Sequence, residues 1–377
     1  MDFFQRQDNA RRRTRWLLVY FAGAILGLAG TFYIISLSPY FYAHPEKTGS
    51  FWHPQLFQWV ISVVLVVIAL GSLTKLVKLR KGGKAIALAL GGRPLTTPAP
   101  DPDERELQNI IEEMSIASGV PMPAVYVLDR EPGINAFAAG FRPEDAVIGV
   151  TKGAMQFLNR DELQGIIAHE FSHILNGDMR LNLRLVSWLH GILGIALVGG
   201  GLLQAARRCI PWNSENDGLQ KAGLGLFFFG SIVGVIIYGL GSAGAFFGRL
   251  IKSAVARQRE FLADAAAVQF TRNPTGLANA LKKIGGLGHG SRIRSPVAEE
   301  ASHMFFGNGL RSSWFGIFST HPSLKKRIKL LDPDFDGRFP PVTFPVGLAK
   351  VPPVISPPVI PPPVAPPVIP QRGPLPA

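Results

Sequence analysis

The 377-residue chain reads as an α+β protein, mainly helical and membrane-embedded, with four transmembrane helices and a small β-sheet beside one well-capped helix. Three observations predict this. Four apolar runs, near residues 16–37, 56–73, 185–205 and 223–247, are long enough to cross a bilayer. Three short β-type runs, 124–128, 136–139 and 146–150, lie between the second and third of them. A segment with a complete helix start signal follows from Asn159. Hydrophobic residues make up 47% of the chain and the mean hydropathy is +0.21, high for a soluble protein. The expected layout is a membrane hairpin (1–84), a first soluble part (85–184), a second hairpin (185–247), a second soluble part (248–339) and a tail (340–377).

The first apolar run has about 22 residues, or roughly 33 Å of helix, which is longer than the apolar region of a cleaved signal peptide. Arg6, Arg11, Arg12, Arg13 and Arg15 precede it, and Lys75, Lys78, Arg80, Lys81 and Lys84 follow the second run. Only Lys47 lies between. By the positive-inside rule both ends of this hairpin are cytoplasmic and the 39–55 loop is outside. The net charge of +13 would make nucleic acid a live partner for a soluble protein, but here the cations sit where a bilayer wants them, so the lipid bilayer is the expected partner and nucleic acid is not. In the second hairpin, Gly230/Gly234 and Gly244/Gly248 have the small-residue spacing of closely packed membrane helices. Gly239, Gly241 and Gly244 match a dinucleotide-binding glycine pattern, but no strand precedes them, so they read as helix packing. His190 is an ionisable group within the third run and reads as snorkelling to the cytoplasmic interface.

The soluble part opens with a linker, 91–103, and an amphipathic helix, 104–118, with Leu107, Ile110, Ile111 and Met114 on one face. After the β-type runs, Asn159 and Glu162 form a capping box, and Leu163, Ile166, Ile167, Phe171 and Ile174 supply the apolar stripe of a helix that Asn176-Gly177 ends. That helix contains His169-Glu170-Phe171-Ser172-His173. Positions i and i+4 share a face, so both imidazoles can hold one metal ion while Glu170 points beside it. The residue types fit Zn2+, one per chain, with Glu170 as general base towards water. A catalytic zinc needs a third protein ligand, and Glu260 in the alanine-rich helical run 257–264 is the choice, with Asp264 one turn on placed to accept the spare ring N–H of a ligand histidine. The alternatives are a surface pair of Glu260 with Arg257 and an ordinary helix-surface charge at Asp264; Glu299 and Glu300 are the next candidate ligands. Since residues 173 and 260 must meet, the chain between them crosses the membrane twice or not at all.

Four motifs together resemble the HtpX and CAAX prenyl protease family of membrane zinc metalloproteases, which are gluzincins. They are 135–140 (Asn-Ala-Phe-Ala-Ala-Gly), the His169 motif with Asn176-Gly177-Asp178, 259–264 (Arg-Glu-Phe-Leu-Ala-Asp), and Thr320-His321-Pro322-Ser323 with Arg327-Ile328. With the apolar segments they cover roughly residues 10–332. CAAX proteases typically have seven spans, so four favour the HtpX branch and make prenylated substrates unexpected. The resemblance implies a catalytic role for His321 in stabilising an oxyanion, a substrate-binding edge at Asn135-Ala136-Phe137 with Asn135 near the substrate backbone, and quality control of misfolded or membrane proteins at the cytoplasmic face of a bacterial plasma membrane. Alternatives from the residues alone are a turn role for Asn135 and a structural one for His321.

The single cysteine, Cys209, excludes an intramolecular disulfide and a cysteine-based zinc site. His303 reads as core, and His289, His44 and His53 lack ligand spacing. The tail, with nearly half of the 31 prolines and Pro-Pro-Val-Ile repeated at 352, 357 and 366, reads as disordered polyproline with a possible partner of its own. The functional expectation is a zinc endopeptidase acting on protein or peptide substrates; a zinc-clamped pseudoprotease and a membrane scaffold working through the tail are the alternatives.

Overall fold

The computed structural model describes residues 3–79, 82–209, 217–287, 290–293, 295, 304–307 and 318–342. His289, Glu299, Glu300, His303, the loop around Trp212 and the tail beyond 342 lie outside the described residues. The architecture is mainly helical, with a four-stranded mixed sheet and, among the described residues, four helices long and apolar enough to cross a membrane.

The first hairpin is α1 (Phe3–Ala43) and α2 (Pro54–Leu79). Helix α1 extends well beyond the expected 16–37 at both ends. At its N-terminus tertiary contacts hold the polar turns: Gln7 donates to Gln269 at 2.8 Å and Arg11 to the Asn176 side chain at 3.3 Å. At its C-terminus the helix runs past Pro39, where the loop was expected to begin. Helix α3 (Gly82–Ala89) connects the hairpin to the soluble part and lies so close to the sheet that a Cβ on Gly83 would come 2.4 Å from the Ala139 carbonyl oxygen.

The sheet runs β1-β2-β4-β3, with β1 (Arg93–Pro94) antiparallel to β2 (Ala124–Leu128), β2 parallel to β4 (Val147–Thr151) and β4 antiparallel to β3 (Ala136–Ala139). Strand β1 falls in the segment read as a linker; its proline sits on an edge strand, where the missing N–H costs nothing. Helix α4 (Pro102–Ser118) is started by the Asp101 side chain, ended by Gly119 at φ 70°, and buries the four apolar residues of its stripe. Short α5 (Lys152–Phe157) leads into α6 (Arg160–Leu175), which packs between α4, the sheet and α9 (Pro274–Gly286). Helix α10 (Leu324–Leu331) lies against α9.

The second hairpin is α7 (Asp178–Arg208) and α8 (Asp217–Thr271). Neither obeys the boundary between membrane and soluble parts. Helix α7 starts seven residues before the apolar run at 185, directly after α6. Helix α8 continues from the end of the apolar run at 247 to Thr271, about 36 Å at 1.5 Å per residue. Glycines set how closely these helices approach. A Cβ on Gly199 would lie 2.3 Å from the Tyr238 backbone nitrogen, one on Gly241 would lie 2.4 Å from that of Ala196, and one on Gly191 would lie 2.2 Å from the Ile68 carbonyl oxygen. The glycines at 239–244 thus include a helix contact, as small-residue packing requires.

Gly241→Leu forces α7 and α8 apart and is expected to lower stability in detergent by about 1–3 kcal/mol, the usual range for overpacking. Gly239→Leu, at a position with nothing within 4 Å, is the control and should melt like the wild type.

Candidate metal centre

Helix α6 is anchored before it reaches the site. The Asn159 side chain accepts from the Glu162 N–H at 3.0 Å and Glu162 accepts from the Asn159 N–H at 2.8 Å, while Lys283 on α9 donates to Glu162 at 2.6 Å. At the other end Gly177 takes φ 66°, a left-handed conformation that suits glycine, and turns the chain into α7. This turn places Asp178 in the first turn of α7, where the helix dipole favours a carboxylate, and aims it back at α6.

His169, His173 and Glu260 bring one ligand atom each to a common point. The two Nε2 atoms are 3.1 Å apart, His169 Nε2 is 3.7 Å from Glu260 Oε2, and His173 Nε2 is 3.5 Å from Glu260 Oε1. Tetrahedral zinc with bonds of about 2.0–2.1 Å separates its ligand atoms by roughly 3.3 Å, and the two Nε2 atoms are close to that spacing, with one Glu260 oxygen near each of them. Two imidazoles and a carboxylate are also the donor set of a catalytic zinc. Glu170 is 0% exposed, and neither of its carboxylate oxygens has a hydrogen-bond partner among the described residues.

Each histidine is oriented by a carboxylate behind it. Asp264 Oδ1 lies 3.0 Å from His169 Nδ1, and Asp178 Oδ2 lies 2.8 Å from His173 Nδ1, a placement that suits a ring N–H directed at each carboxylate with Nε2 turned to the cluster. The carboxylates are held in turn. Arg259 pairs with Asp178 and donates to the Asn176 carbonyl at 3.1 Å, tying α8 to the turn between α6 and α7. Arg327 of α10, only 1% exposed, donates to both Asp264 oxygens at 2.9 and 2.6 Å and lies 3.2 Å from Glu260 Oε2.

The electrostatics follow from burial. Loss of solvent lowers His169 to about 4, despite its hydrogen bond to Asp264, which keeps the imidazole neutral as a ligand must be. Burial pushes the Glu170 carboxyl up to about 8, with the Glu260 charge adding to the rise and His173 and Arg327 opposing it. A carboxylate raised in this way is a stronger base than one in water.

His321 reaches the same point from the segment before α10: its Nδ1 lies 3.0 Å from Glu260 Oε2. That segment hangs on α8, with Ser253 donating to the Phe318 carbonyl at 2.9 Å and Arg257 to that of Ser319 at 2.8 Å. Asn135 is fully buried just before β3. Its Oδ1 accepts from the N–H groups of Ala136 and Gly307, and its Nδ2 donates to the Ser291 carbonyl at 2.6 Å. Ala136 and Phe137 lie on the outer strand of the sheet, but that edge is already engaged. The Phe306 N–H donates to the Ala136 carbonyl at 2.8 Å, and Phe137 and Phe305 form an antiparallel bridge.

The family profile described as Peptidase family M48 matches residues 101–333, a stretch holding all of the residues just described. The chain belongs to this family. A protease HtpX homolog of Caldanaerobacter subterraneus is 36% identical over 276 residues, which cover 73% of this chain and 86% of the relative. One from Streptococcus gordonii is 29% identical over 330 residues, covering 87% and 98%. The chain is therefore an M48 zinc metallopeptidase with membrane helices, and its His-His-Glu cluster is the arrangement expected of an HExxH-plus-glutamate enzyme. Three contributors to this M48 site carried no assigned role in the sequence reading: Asp178, Arg259 and Arg327. Asp178 follows His173 by five residues across a glycine turn, a local signal that was available. Arg327 resembles the lysines beside it on a basic helix, and only tertiary structure distinguishes it.

If Asp178 and Asp264 orient the ligand rings, Asp178→Ala and Asp264→Ala each weaken zinc affinity by about 10- to 100-fold without removing a ligand. Competition with a chromogenic chelator measures this; affinities equal to the wild type would remove both residues from the site's support.

Proposed function

We propose that the protein is a zinc-dependent endopeptidase that cuts misfolded or membrane proteins at the cytoplasmic face of a plasma membrane. The observation that carries this reading is the triangle of His169, His173 and Glu260 with the buried carboxylate of Glu170 beside it, at the foot of two membrane helices. His169, His173 and Glu260 would hold the zinc, which would supply the Lewis acidity that activates water and polarises the scissile carbonyl. Glu170, shut off from solvent, takes the proton from the attacking water and returns it to the leaving nitrogen. Asp264 and Asp178 keep both imidazoles in the tautomer that leaves Nε2 free. His321, adjacent to Glu260, is placed to donate to the oxyanion, a contribution that for one well-aimed donor is worth about 3 kcal/mol.

The substrate class follows from location. Asp178 is five residues beyond His173, and the apolar run starts seven residues later, about 10 Å of helix. Such a site meets chain segments that emerge from the bilayer, which fits unfolded or membrane proteins. The cations around the first hairpin support a cytoplasmic site, because no further span separates α2 from α6.

Glu170→Gln is expected to retain zinc and lose proteolysis. Metal analysis alongside an unfolded-substrate assay, with and without chelator, checks both halves; activity above about one per cent of wild type would remove Glu170 from the base role.

Sidedness is read by labelling intact cells with an impermeant thiol reagent, in a chain with Cys209 replaced. Cysteine at position 46 should label and cysteine at position 104 should not. The opposite pattern puts the metal centre outside and changes the substrate class.

A further inference from the structure

We propose that residues 304–306 are a built-in pseudosubstrate strand: they occupy the β3 edge beside the metal triad, and a peptide substrate enters by displacing them. The inference rests on the protease reading above. A substrate that binds by strand addition needs a free sheet edge for its backbone and room for alternate side chains. In this structure the only outer neighbour of β3 among the described residues is the chain itself. The Phe306 N–H donates to the Ala136 carbonyl at 2.8 Å, Phe305 stands opposite Phe137 in antiparallel register, and their rings meet edge to face at 5.9 Å. Asn135 completes the resemblance to a bound peptide, because its side-chain oxygen accepts from the backbone N–H of Gly307 at 3.3 Å.

Met304 and Phe305 also wall the cleft that contains His173, Glu260, His321 and Ala138. About 50 Å³ of free volume remains there. That accommodates a few water molecules, whereas a ligand pocket ordinarily offers several hundred Å³. Together with the complete burial of His169 and Glu170, this describes a cleft too small for a peptide while the segment stays in place.

The segment is held in a way an incoming peptide can copy. Its pairing with β3 is a single bridge, not a ladder; Phe305 fills an apolar cluster with Phe137 and Leu128, and Phe306 lies between a polar ring and a cation. Phe306 sits 4.8 Å from the His169 ring and 4.7 Å below the Arg327 guanidinium, whose Nη1 donates to the Phe306 carbonyl at 3.1 Å. A substrate with two consecutive bulky apolar residues, one for each side of the strand, recovers the burial and the backbone pairing that the segment gives up. A polar peptide does not. The closed state therefore selects unfolded apolar segments over ordinary surface loops.

Hydrogen–deuterium exchange on the zinc-loaded Glu170→Gln chain in detergent micelles tests this, with unfolded β-casein as the probe. The amides of 304–307 are expected to lose protection at least tenfold on adding the probe while those of β4 stay protected. Unchanged or increased protection at 304–307 makes the segment a permanent strand and overturns the proposal. Phe305→Ala gives a second reading: provided that zinc content matches wild type, KM for β-casein should fall severalfold with kcat little changed, and a raised KM overturns it. Wild-type cleavage of the same probe separates the two levels of inference. If chelator-sensitive cleavage occurs but the segment stays protected, only the pseudosubstrate fails; if no cleavage occurs, the protease reading fails with it.

Discussion

Glu260 has to meet two imidazoles carried by a different helix, and the path between them is a hairpin of two helices long and apolar enough to cross a membrane. This single requirement orders most of the molecule. Helix α6 must end close to the apolar run of α7, and α8 must continue past its own apolar run far enough to bring a carboxylate back to the level of His173. The glycine turn at 177 meets the first demand and the uninterrupted length of α8 meets the second. Closure of the triangle then depends on how α7 and α8 pack within the membrane, where Gly199 and Gly241 let the two backbones approach.

The charges around the triangle form one connected set, which their burial demands. A lone buried charge is costly, and removing one partner of a buried pair typically costs about 3–5 kcal/mol. Arg327 neutralises Asp264 and faces Glu260; Asp264 in turn supports His169; Arg259 does the same for Asp178 behind His173. Glu170 is the exception, a buried carboxylate without such a partner, and its raised pKa is the expression of that exposure to low dielectric. The compensating cations thus pair directly with the carboxylates around the His-His-Glu cluster, while Glu170 has no direct ion pair among the described residues.

The sequence was informative where the physics is local. Capping of α6 by Asn159 and Glu162, the apolar stripe of α4 and the strands β2 and β3 follow from near-neighbour patterns, and the observed elements agree closely. Helix ends within and near the membrane were harder to read, because hydropathy marks what lipid requires and says nothing of polar turns stabilised by contacts such as Gln7 with Gln269. Strand β1 has only two residues and draws its pairing from β2, so no local signal marks it. Among site residues, the grouping of His169, His173 and Glu260 was legible from helical spacing and the need for a third donor. The burial of Arg327 and the pairing of 304–306 with β3 depend on contacts between residues far apart in the chain.

Helix α8 runs without a proline or a break from its apolar stretch to the Glu260 carboxylate, between residues 223 and 264. A rigid rod converts angle into displacement. From the middle of the apolar run to Glu260 is about 25 residues, or roughly 37 Å. A change in tilt of about 3° over that lever moves its end by about 2 Å, the length of a metal–ligand bond. A tilt imposed on the apolar run would reach Glu260 through this one helix, and the packing of α8 against α6 and α1 is what would oppose it.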